Sequence, residues 1–464
     1  MDKIKLLQSR REQVLAAGTE IRKTISSLID ENSFVELSGF SFSKNEFFDA
    51  EAEGEGVVTG FATIDGYPVY IAAQNFAVLH GGVSKAGCEK MLRMLSLAEK
   101  NSTPVVYILH SRGVQIGEGV TALEGLAQLL GKAAKLHGVV PQFAVVGGEV
   151  YGQSAMLAAC ADFTFFLKEG VLAADSPLVI SAKSGKNLSG EQVGGAAALA
   201  HTGLISFAVD SISSVRENIR KILDVLPDYS GAVVENGADL NAAFPSLDEH
   251  CTADALLEAV FDEDTAVEVG GGSPEVRCFL GRVGGISVAA VLFDAEEGVL
   301  LDADNVAKIT DFAEFASYYS LPFVTFADTC GIRPDLAVND SRVLKNCFKL
   351  LETYDLIESA KIDGASHYQT FWRLVAPMSM PAIAAFATLQ FLWVWNDLLI
   401  ARLFLGGGSN TTVIVALQQL LGTQGQGAEL LTAGAFLSML LPLIVFFSLQ
   451  NFLVRGMTAG SVKG

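Results

Sequence analysis

The sequence predicts a duplicated α/β domain followed by an all-α membrane segment, and three observations lead to this fold class. Strand-like and helix-like stretches alternate along residues 57–354, part of this alternation recurs 218–219 residues later, and two long uncharged stretches follow residue 373. Alternating strands and helices indicate parallel strands joined by right-handed crossovers. The chain therefore has two parts of different character, and each needs its own functional interpretation.

The two parts meet near Tyr354, a point that we call the junction. All six cysteines precede it and all three tryptophans follow it. Residues 355–464 contain five acidic and five basic residues, so residues 1–354 carry the whole formal net charge of -20. A strongly acidic surface repels phosphate backbones, and we therefore expect no nucleic-acid partner.

The cysteines and the N-terminus indicate a cytosolic first part. The six cysteines show no CxxC pair and no Cys/His ligand spacing, so we expect free thiols and no metal site. Residues 1–18 mix charges and lack the apolar run of a secretion signal. Nothing at this end predicts export.

The duplication is visible in two pairs of segments. IDGYPV (64–69) recurs as VGGISV (283–288), and STPVVYILHSRG (102–113) recurs as SLPFVTFADTCG (320–331). The first copy continues into PQFAVVGGEVYGQSAMLAACADF (141–163), where a further strand runs into a glycine turn. By the same offset the second copy reaches the junction before its own version of that strand and turn. We therefore expect one complete half and one truncated half.

Two glycine turns of the first copy are the candidate site. One lies in HSRGVQIGEG (110–119) and the other in GGEVYGQSA (147–155). A strand that ends in such a turn and opens a helix presents backbone N–H groups, which can stabilise the oxyanion of a thioester. The alternative is that both are only tight turns, the usual role of glycine after a strand. The candidate residues are Ser111, Arg112, Gly113, Gly117, Gly148, Tyr151 and Gly152.

These turns stand in a longer pattern that resembles a known family. Together with SSLIDENSFVEL (26–37), VVTGFATIDGYPVYIAAQNFAVLHGGVSKAGCEKM (57–91) and the strand before each turn, they resemble biotin-dependent acyl-CoA carboxyltransferases over about residues 15–354. The resemblance implies two crotonase-type halves, each a spiral of ββα units. Residues 1–265 would be the acyl-CoA half and residues 266–354 a truncated biotin half.

The resemblance also implies a reaction and partners. Carboxyl would pass between biotin on a partner carrier protein and the α-carbon of an acyl-CoA, without a metal, at a site between halves of a homo-oligomer. Tyr151, Gly152 and Gly113 would be catalytic through their N–H groups. Ser111, Arg112, Gly117 and Gly148 would bind substrate.

Several positions depart from the family pattern. The family typically reads D-S-G-G-A-R-I-Q-E-G where residues 110–119 begin with His110, and its paired glycines become Tyr151 and Gly152 here. A tyrosine supplies an N–H, but its side chain obstructs close approach of a thioester. His110 either carries a proton, binds CoA or is a hydrogen-bonded structural residue. Arg112 either meets a CoA phosphate or is solvated.

The second part has the pattern of two membrane spans. Residues 374–396 and 430–454 are uncharged stretches of 23 and 25 residues. As helices, both are long enough to cross a hydrocarbon core of about 30 Å. The basic residues on one side are Lys361, Arg373, Arg455 and Lys463, against Arg402 alone on the other. This bias places residues 1–373 and the C-terminus in the cytoplasm, with the spans in the cytoplasmic (inner) membrane.

ESAKIDGASHYQTFWRLVAP (358–377) directly precedes the first span. It resembles the E-A-A-x-x-D-G-A coupling loop of sugar-type ABC transporter permeases, and the resemblance extends over residues 355–464. It implies a coupling loop at 355–377 that binds an ABC ATPase subunit, and a second permease as a further partner. The coupling residues would be Glu358, Asp363, Gly364 and Ala365.

Three interpretations follow. The chain is a carboxyltransferase tethered to a membrane remnant, a transport component with a soluble passenger, or a chimera in which neither activity is intact. We favour the chimera, because each family is interrupted in the middle of a domain at the junction.

Overall fold

The computed structural model describes residues 3–45, 50–200, 202–226, 252–271, 274–294, 298–333, 341–358, 429, 432–440 and 442–443. The chain divides into two compact units, Met1–Ile357 and Glu358–Gly464. The first unit holds both copies of the repeat.

The first copy begins with two helices and a sheet. Its helices are α1 (Lys3–Ala17), α2 (Thr19–Leu28), α3 (Lys85–Lys100), α4 (Val120–Leu136), α5 (Gln153–Ala159), α6 (Pro177–Ser184), α7 (Gly190–Gly194), α8 (Ala196–Leu199) and α9 (Ile212–Val225). Its strands are β1 (Val35–Leu37), β2 (Phe42–Asn45), β3 (Ala50–Glu53), β4 (Val57–Ile64), β5 (Tyr67–Gln74), β6 (Val105–Ser111), β7 (Gln142–Tyr151), β8 (Phe163–Leu167), β9 (Val171–Ala173) and β10 (Phe207–Val209).

The main sheet has the order β1-β4-β5-β6-β7-β8-β10, with β9 also paired to β7. β4 and β5 form an antiparallel hairpin, and β5, β6, β7 and β8 are then parallel. Helices α3 and α4 provide the crossovers between β5, β6 and β7. The two-strand, one-helix repeat predicted from the sequence is therefore present.

The second copy repeats the start of this arrangement. Its elements are α10 (Ala253–Val260), β11 (Val267–Val269), β12 (Val276–Val283), β13 (Ile286–Phe293), β14 (Val299–Leu301), α11 (Ala303–Tyr318), β15 (Phe323–Phe326), β16 (Thr329–Ile332) and α12 (Ser341–Glu358). The sheet order is β11-β12-β13-β15, with an antiparallel hairpin followed by a parallel strand. Tyr70 pairs with Val105 in the first copy, and Ala289 pairs with Phe323 in the second. These partners are related by the sequence offset.

Helix α12 crosses the junction. By the offset it corresponds to α4, after which the first copy forms β7. Helix α12 instead continues past Tyr354 to Glu358. Among the described residues, β15 ends the four-stranded sheet, and no strand occupies the position that β7 holds beside β6.

One apolar core joins the two copies. Ile25 and Leu28 of α2, Ile222 of α9, and Phe315 of α11 belong to the same buried cluster. A second cluster lies between the main sheet and the helices α3 and α4. Burial of apolar side chains on both faces is what a mostly parallel sheet requires. The two copies therefore stabilise one another.

Helix α12 is less well covered than its counterpart. Leu344, Phe348 and Leu351 are 64%, 62% and 66% exposed. By the offset, Leu344 and Leu351 correspond to Leu126 and Ala133 of α4, which are buried. The second copy thus leaves an apolar helix face exposed where the first copy packs it.

The predicted membrane segment is only sparsely described. In the described residues, no helix has both the length and the apolarity that crossing a membrane requires. The predicted spans 374–396 and 430–454 lie outside the described residues, apart from the helical residues 432–440 and 442–443. The predicted coupling residues Asp363, Gly364 and Ala365 also lie outside them.

An ion-pair network ties the start of the chain to α9. The Asp30 carboxylate accepts hydrogen bonds from the Thr63 hydroxyl at 2.6 Å and from the N–H groups of Asp65 and Gly66, both at 2.9 Å. The Arg216 guanidinium donates to it at 2.6 Å. Partial burial raises the pKa of Asp30, but these donors outweigh burial and hold the pKa below its ordinary value of 3.8.

The Asp30→Asn substitution tests this network. Because the folded carboxyl has a lowered pKa, its contribution to stability is complete above pH 3.8 and is lost as the pH falls through the folded value. We expect the variant to lose about 1–3 kcal/mol of unfolding free energy at pH 7. The difference from the unmodified protein should shrink below pH 3.8 in denaturant titrations. Asp175→Asn, which removes an exposed pair with Lys183, is the control and should change little. Equal losses in both variants would contradict this account.

Candidate active site

The two predicted turns lie side by side. Strands β6 and β7 are parallel neighbours, and after a shift in register Ser111 pairs with Val150. The carboxyl ends of parallel strands meet at one edge of a sheet, which is where open α/β sheets bind ligands. A Cβ atom at Gly113 would lie 3.8 Å from the carbonyl oxygen of Tyr151. The structure therefore brings Ser111, Gly113 and Tyr151 together.

The first turn is held tightly by its own hydrogen bonds. The Gly113 N–H donates to Ser111 Oγ at 3.1 Å, and the Ser111 side chain is buried. The Gly113 carbonyl accepts from the Val83 N–H at 2.9 Å, and the Gln115 N–H donates to the Val83 carbonyl at 3.0 Å. Gly113 has φ +108°, which favours glycine. The buried Ser111 hydroxyl thus helps to fix the backbone conformation of the turn.

The second turn is also hydrogen-bonded within the chain. Gly152 has φ +63° and directly precedes α5. Its N–H donates to the carbonyl of Ala173, the last residue of β9, at 3.0 Å. Both glycine N–H groups that were predicted to hold an oxyanion therefore have protein acceptors in this conformation. Their catalytic assignment stays a prediction, as does that of Tyr151.

Tyr151 brings a phenol to the same edge. Its side chain is largely buried, and burial raises its pKa, with the neighbouring Glu149 acting in the same direction and Arg112 against it. Arg112 Nε lies 2.7 Å from Glu149 Oε2. Arg112 and Glu149 thus join the ends of β6 and β7 across the site.

A cavity of about 680 Å³ opens beside the first turn. Its size falls within the range of roughly 300–1,000 Å³ that is typical of small-molecule sites. The Arg112 guanidinium carbon lies 5.3 Å from the centre of the Phe76 ring, a cation–π distance. The cavity is lined by Phe76, Ala77, Leu79, His80, Gly82, Arg112, Gly113, Val114 and Gln115.

The loop that forms one wall of this cavity has an unusual backbone. Leu79, His80 and Gly81 are all left-handed, with φ +47°, +54° and +65°. A Cβ atom at Gly81 would lie 2.1 Å from the His110 carbonyl oxygen, so only glycine fits there. Left-handed conformations of larger residues persist only where the surroundings enforce them. Sequence reasoning had not singled out this wall, although NFAVLHGG lies within the stretch that carries the family resemblance.

His110 packs against Phe76, a residue of the cavity wall. Its ring stacks on Phe76 with centroids 3.9 Å apart, and its backbone N–H donates to Gln74 Oε1 at 3.1 Å. Burial lowers its pKa, Glu149 acts against that shift, and Arg112 adds to it. Phe76, rather than His110, lines the cavity. This geometry favours the structural alternative for His110.

The other predicted residues have identifiable places. A Cβ atom at Gly148 would lie 2.5 Å from His110 Nε2, so Gly148 makes room for that ring. Gly117 lies in the short 3₁₀ turn Ile116–Glu118. Glu118 accepts the Lys85 N–H at the start of α3 at 2.7 Å. Substrate contacts of Gly117 and Gly148 stay predictions.

The described residues include no cluster of three or more His, Cys, Asp or Glu side chains placed to hold a metal. Five cysteines in the described ranges are free thiols: Cys88, Cys160, Cys278, Cys330 and Cys347. A second, smaller cavity of about 150 Å³ lies away from the turns, where β8 and β11 approach α11. The larger cavity is the candidate site because the predicted residues adjoin it.

Comparison with known families identifies the family to which the part of the chain before the junction belongs. The carboxyl transferase domain model matches residues 15–362, about three quarters of the chain. The chain belongs to the carboxyl transferase family. A second family model, the binding-protein-dependent transport system inner membrane component, matches residues 353–459. The two matches overlap at residues 353–362, so the predicted joining of a carboxyltransferase domain to an ABC permease domain is confirmed.

Individual relatives show the same division. The propionyl-CoA carboxylase beta chain of Saccharopolyspora erythraea is 30% identical over 360 residues, which cover 72% of this carboxyltransferase chain and 66% of that protein. The osmoprotective compounds uptake permease protein GgtD of Synechocystis sp. is 59% identical over 110 residues, 24% of this chain. The chain spans only 37% of that permease.

A solved structure supports the fold of the carboxyltransferase part. The transcarboxylase 12S crystal structure, described as a hexamer assembly with methylmalonyl-coenzyme A bound, matches with a TM-score of 0.70 and 24% identity. The match covers 76% of this chain and 75% of that one. The predicted crotonase-type α/β fold is confirmed.

A test of the site's packing compares two adjacent glycines. Gly148→Ala places a methyl group against the His110 ring, so the ring must move and the Phe76 stack must loosen. Gly147→Ala meets its nearest neighbour, a Leu167 methyl group, at an ordinary 3.7 Å. We expect Gly148→Ala to cost about 1–3 kcal/mol of unfolding free energy and Gly147→Ala much less. Equal stabilities in denaturant titrations would show that the ring does not occupy this position.

Proposed function

We propose that the chain is a chimera that retains an acyl-CoA-binding carboxyltransferase half but lacks the parts needed for either parent activity. Residues 1–265 form the acyl-CoA half, residues 266–354 the truncated biotin half, and residues 355–464 a permease fragment. One observation carries the proposal. The described first copy has two adjacent turns and a large cavity, whereas the second copy passes from α12 across the junction.

The cavity has the chemistry of a coenzyme A site. Arg112 and His80 give it a polar wall suited to phosphate, and Phe76, Leu79 and Val114 give it an apolar wall suited to the pantetheine or acyl chain. Propionyl-CoA carboxylase and methylmalonyl-coenzyme A figure in the names of similar proteins. We propose an acyl-CoA as the ligand.

The reacting end of the thioester would lie at the two turns. Tyr151, Gly152 and Gly113 are the proposed catalytic residues, and the proposed substrate-binding residues are Ser111, Arg112, Gly117 and Gly148. To hold an enolate oxygen, the N–H groups of Gly113 and Gly152 must exchange Ser111 Oγ and the Ala173 carbonyl for the thioester oxygen. Substrate binding therefore has to shift these turns.

Biotin on a partner carrier protein is the carboxyl donor or acceptor that family membership suggests. The described residues of the second copy include no strand and glycine turn after α12 that would correspond to those of the first copy. Association into a homo-oligomer, as in the hexamer named for the transcarboxylase, is part of the proposal.

The permease fragment supports a second candidate function. Its 59% identity to a permease and the motif containing Glu358, Asp363, Gly364 and Ala365 favour a coupling loop that binds an ABC ATPase. The proposed arrangement has spans at 374–396 and 430–454 in the inner membrane, beside a second permease, with residues 1–373 and the C-terminus in the cytoplasm. Two spans cannot by themselves enclose a transport path, so transport is expected to be impaired.

Coenzyme A binding tests the enzyme half. Full-length protein purified in mild detergent should bind CoA in calorimetry, and Arg112→Gln should weaken binding about fivefold to tenfold through loss of a charge-assisted contact. Arg277→Gln is a matched control. Arg277 also pairs with a carboxylate, Glu268, at 2.7 Å and lies 5.1 Å from a phenylalanine ring centre, but in the second copy. Equal weakening by both substitutions would place the site elsewhere.

Carboxyl transfer tests the truncation. Incubation with free carboxybiotin and acetyl-CoA or propionyl-CoA should form no detectable malonyl-CoA or methylmalonyl-CoA, because permease-like sequence stands where the second glycine turn of the biotin half would follow. The propionyl-CoA carboxylase beta chain of Saccharopolyspora erythraea, assayed in parallel, is the positive control. A clear rate from the chimera would refute the claim that this turn is needed.

A further inference from the structure

Lys90 is a buried lysine that the proposed chemistry does not use. It lies on α3 and is only 3% exposed. Its Nζ donates to the carbonyl of Gly54 at 2.9 Å and to that of Val57 at 2.5 Å. Burial of an ammonium group is costly unless hydrogen bonds compensate for it. Two backbone carbonyls provide that compensation here.

The surroundings of Lys90 carry further charges. Burial lowers the pKa of Lys90 to about 8, Glu36 and Glu55 act against this shift, and Arg22 adds to it. Arg22 is itself paired with Glu36 at 2.8 Å. Lys90 is thus surrounded by charged side chains of α2 (Arg22), β1 (Glu36) and the turn before β4 (Glu55).

The two carbonyls flank a strained segment. Gly54, Glu55 and Gly56 are all left-handed, with φ +61°, +59° and +64°. Glu55 is not a glycine, and it is 3% exposed. Its carboxylate accepts the Ser84 hydroxyl at 2.9 Å. A left-handed Glu55 needs support from its surroundings, and the Lys90 ammonium donates to carbonyls at both ends of this turn.

This turn supports the cavity wall. The Gly56 carbonyl accepts the Asn75 N–H at 2.8 Å, and the Asn75 carbonyl accepts the Val78 N–H at 3.1 Å. A Cβ atom at Gly56 would lie 3.5 Å from the Val78 carbonyl oxygen and 3.7 Å from that of Gly82. The wall-forming residues Leu79 and His80 follow Val78 directly. One chain of contacts therefore runs from Lys90 to the cavity.

We propose that Lys90 is a positioning residue for the cavity: its ammonium holds the left-handed turn 54–57, and that turn fixes the loop 75–82 in a shape that admits the ligand. The identity of that ligand as an acyl-CoA rests on the proposed function. The fixing of the loop does not depend on the ligand's identity, because all the contacts between Lys90 and the cavity wall are made by residues of the protein itself.

Lys90→Met tests the proposal, because it keeps the length of the side chain but removes the donors. In the full-length protein without ligand, we expect hydrogen exchange of residues 75–83 to accelerate about tenfold and CoA binding to weaken about tenfold. Lys308→Met is the matched control. Lys308 is a partly buried lysine, and its Nζ donates to the Val276 carbonyl at 2.6 Å in the second copy. It should leave both measurements unchanged.

The outcomes separate the two proposals. Acceleration spread evenly over the first copy, or the same changes in Lys308→Met, would mean that Lys90 has only a general structural role. If the unmodified protein binds no CoA, the proposed function fails, and local exchange at residues 75–83 still decides the role of Lys90. If Lys90→Met does not fold, Lys90→Gln, which keeps an N–H donor, should show a smaller change at the same residues. No local change in Lys90→Gln would overturn the proposal.

Discussion

The parallel pairing of β6 with β7 is the constraint on which the site depends. It places the turn after Ser111 beside the turn after Tyr151, which are far apart in sequence, and the ion pair of Arg112 with Glu149 fastens the two. A tight turn after one strand is common and does no chemistry by itself. Two such turns at one sheet edge, beside a cavity, form the site that we propose holds the enolate oxygen of an acyl-CoA thioester.

Support comes from buried polar groups as much as from the apolar core. Asp30 binds the β4–β5 turn to α9, Lys90 bridges a left-handed turn, and Gln74 binds the backbone of His110. Asp30 is partly buried, whereas Lys90 and Gln74 are buried, and each makes at least two hydrogen bonds that fix a backbone shape which apolar packing alone leaves open.

The sequence predicted those features that depend on pattern. The offset between the copies anticipated the paired strands, and the glycines marked both turns, whereas the meeting of the turns at one sheet edge emerges only from the pairing of β6 with β7. The Phe76–His110 stack, the Arg112–Glu149 pair and the acceptors of the Gly113 and Gly152 N–H groups arise from residues distant in sequence, so periodicity gives no sign of them. Glu118 had no predicted role because its partner, the Lys85 N–H at the start of α3, is reached only in the folded chain.

The two copies share a core but differ in how they continue. In the first copy α4 is followed by β7, whereas in the second copy the corresponding helix α12 continues across the junction. Hydrogen exchange with and without CoA tests this asymmetry most directly. We predict that CoA protects residues 76–82, 111–115 and 148–152, and leaves residues 323–332 of the second copy unchanged. Protection of residues 323–332 with none in the first copy would contradict the account, because the ligand would then bind the half that we regard as incomplete.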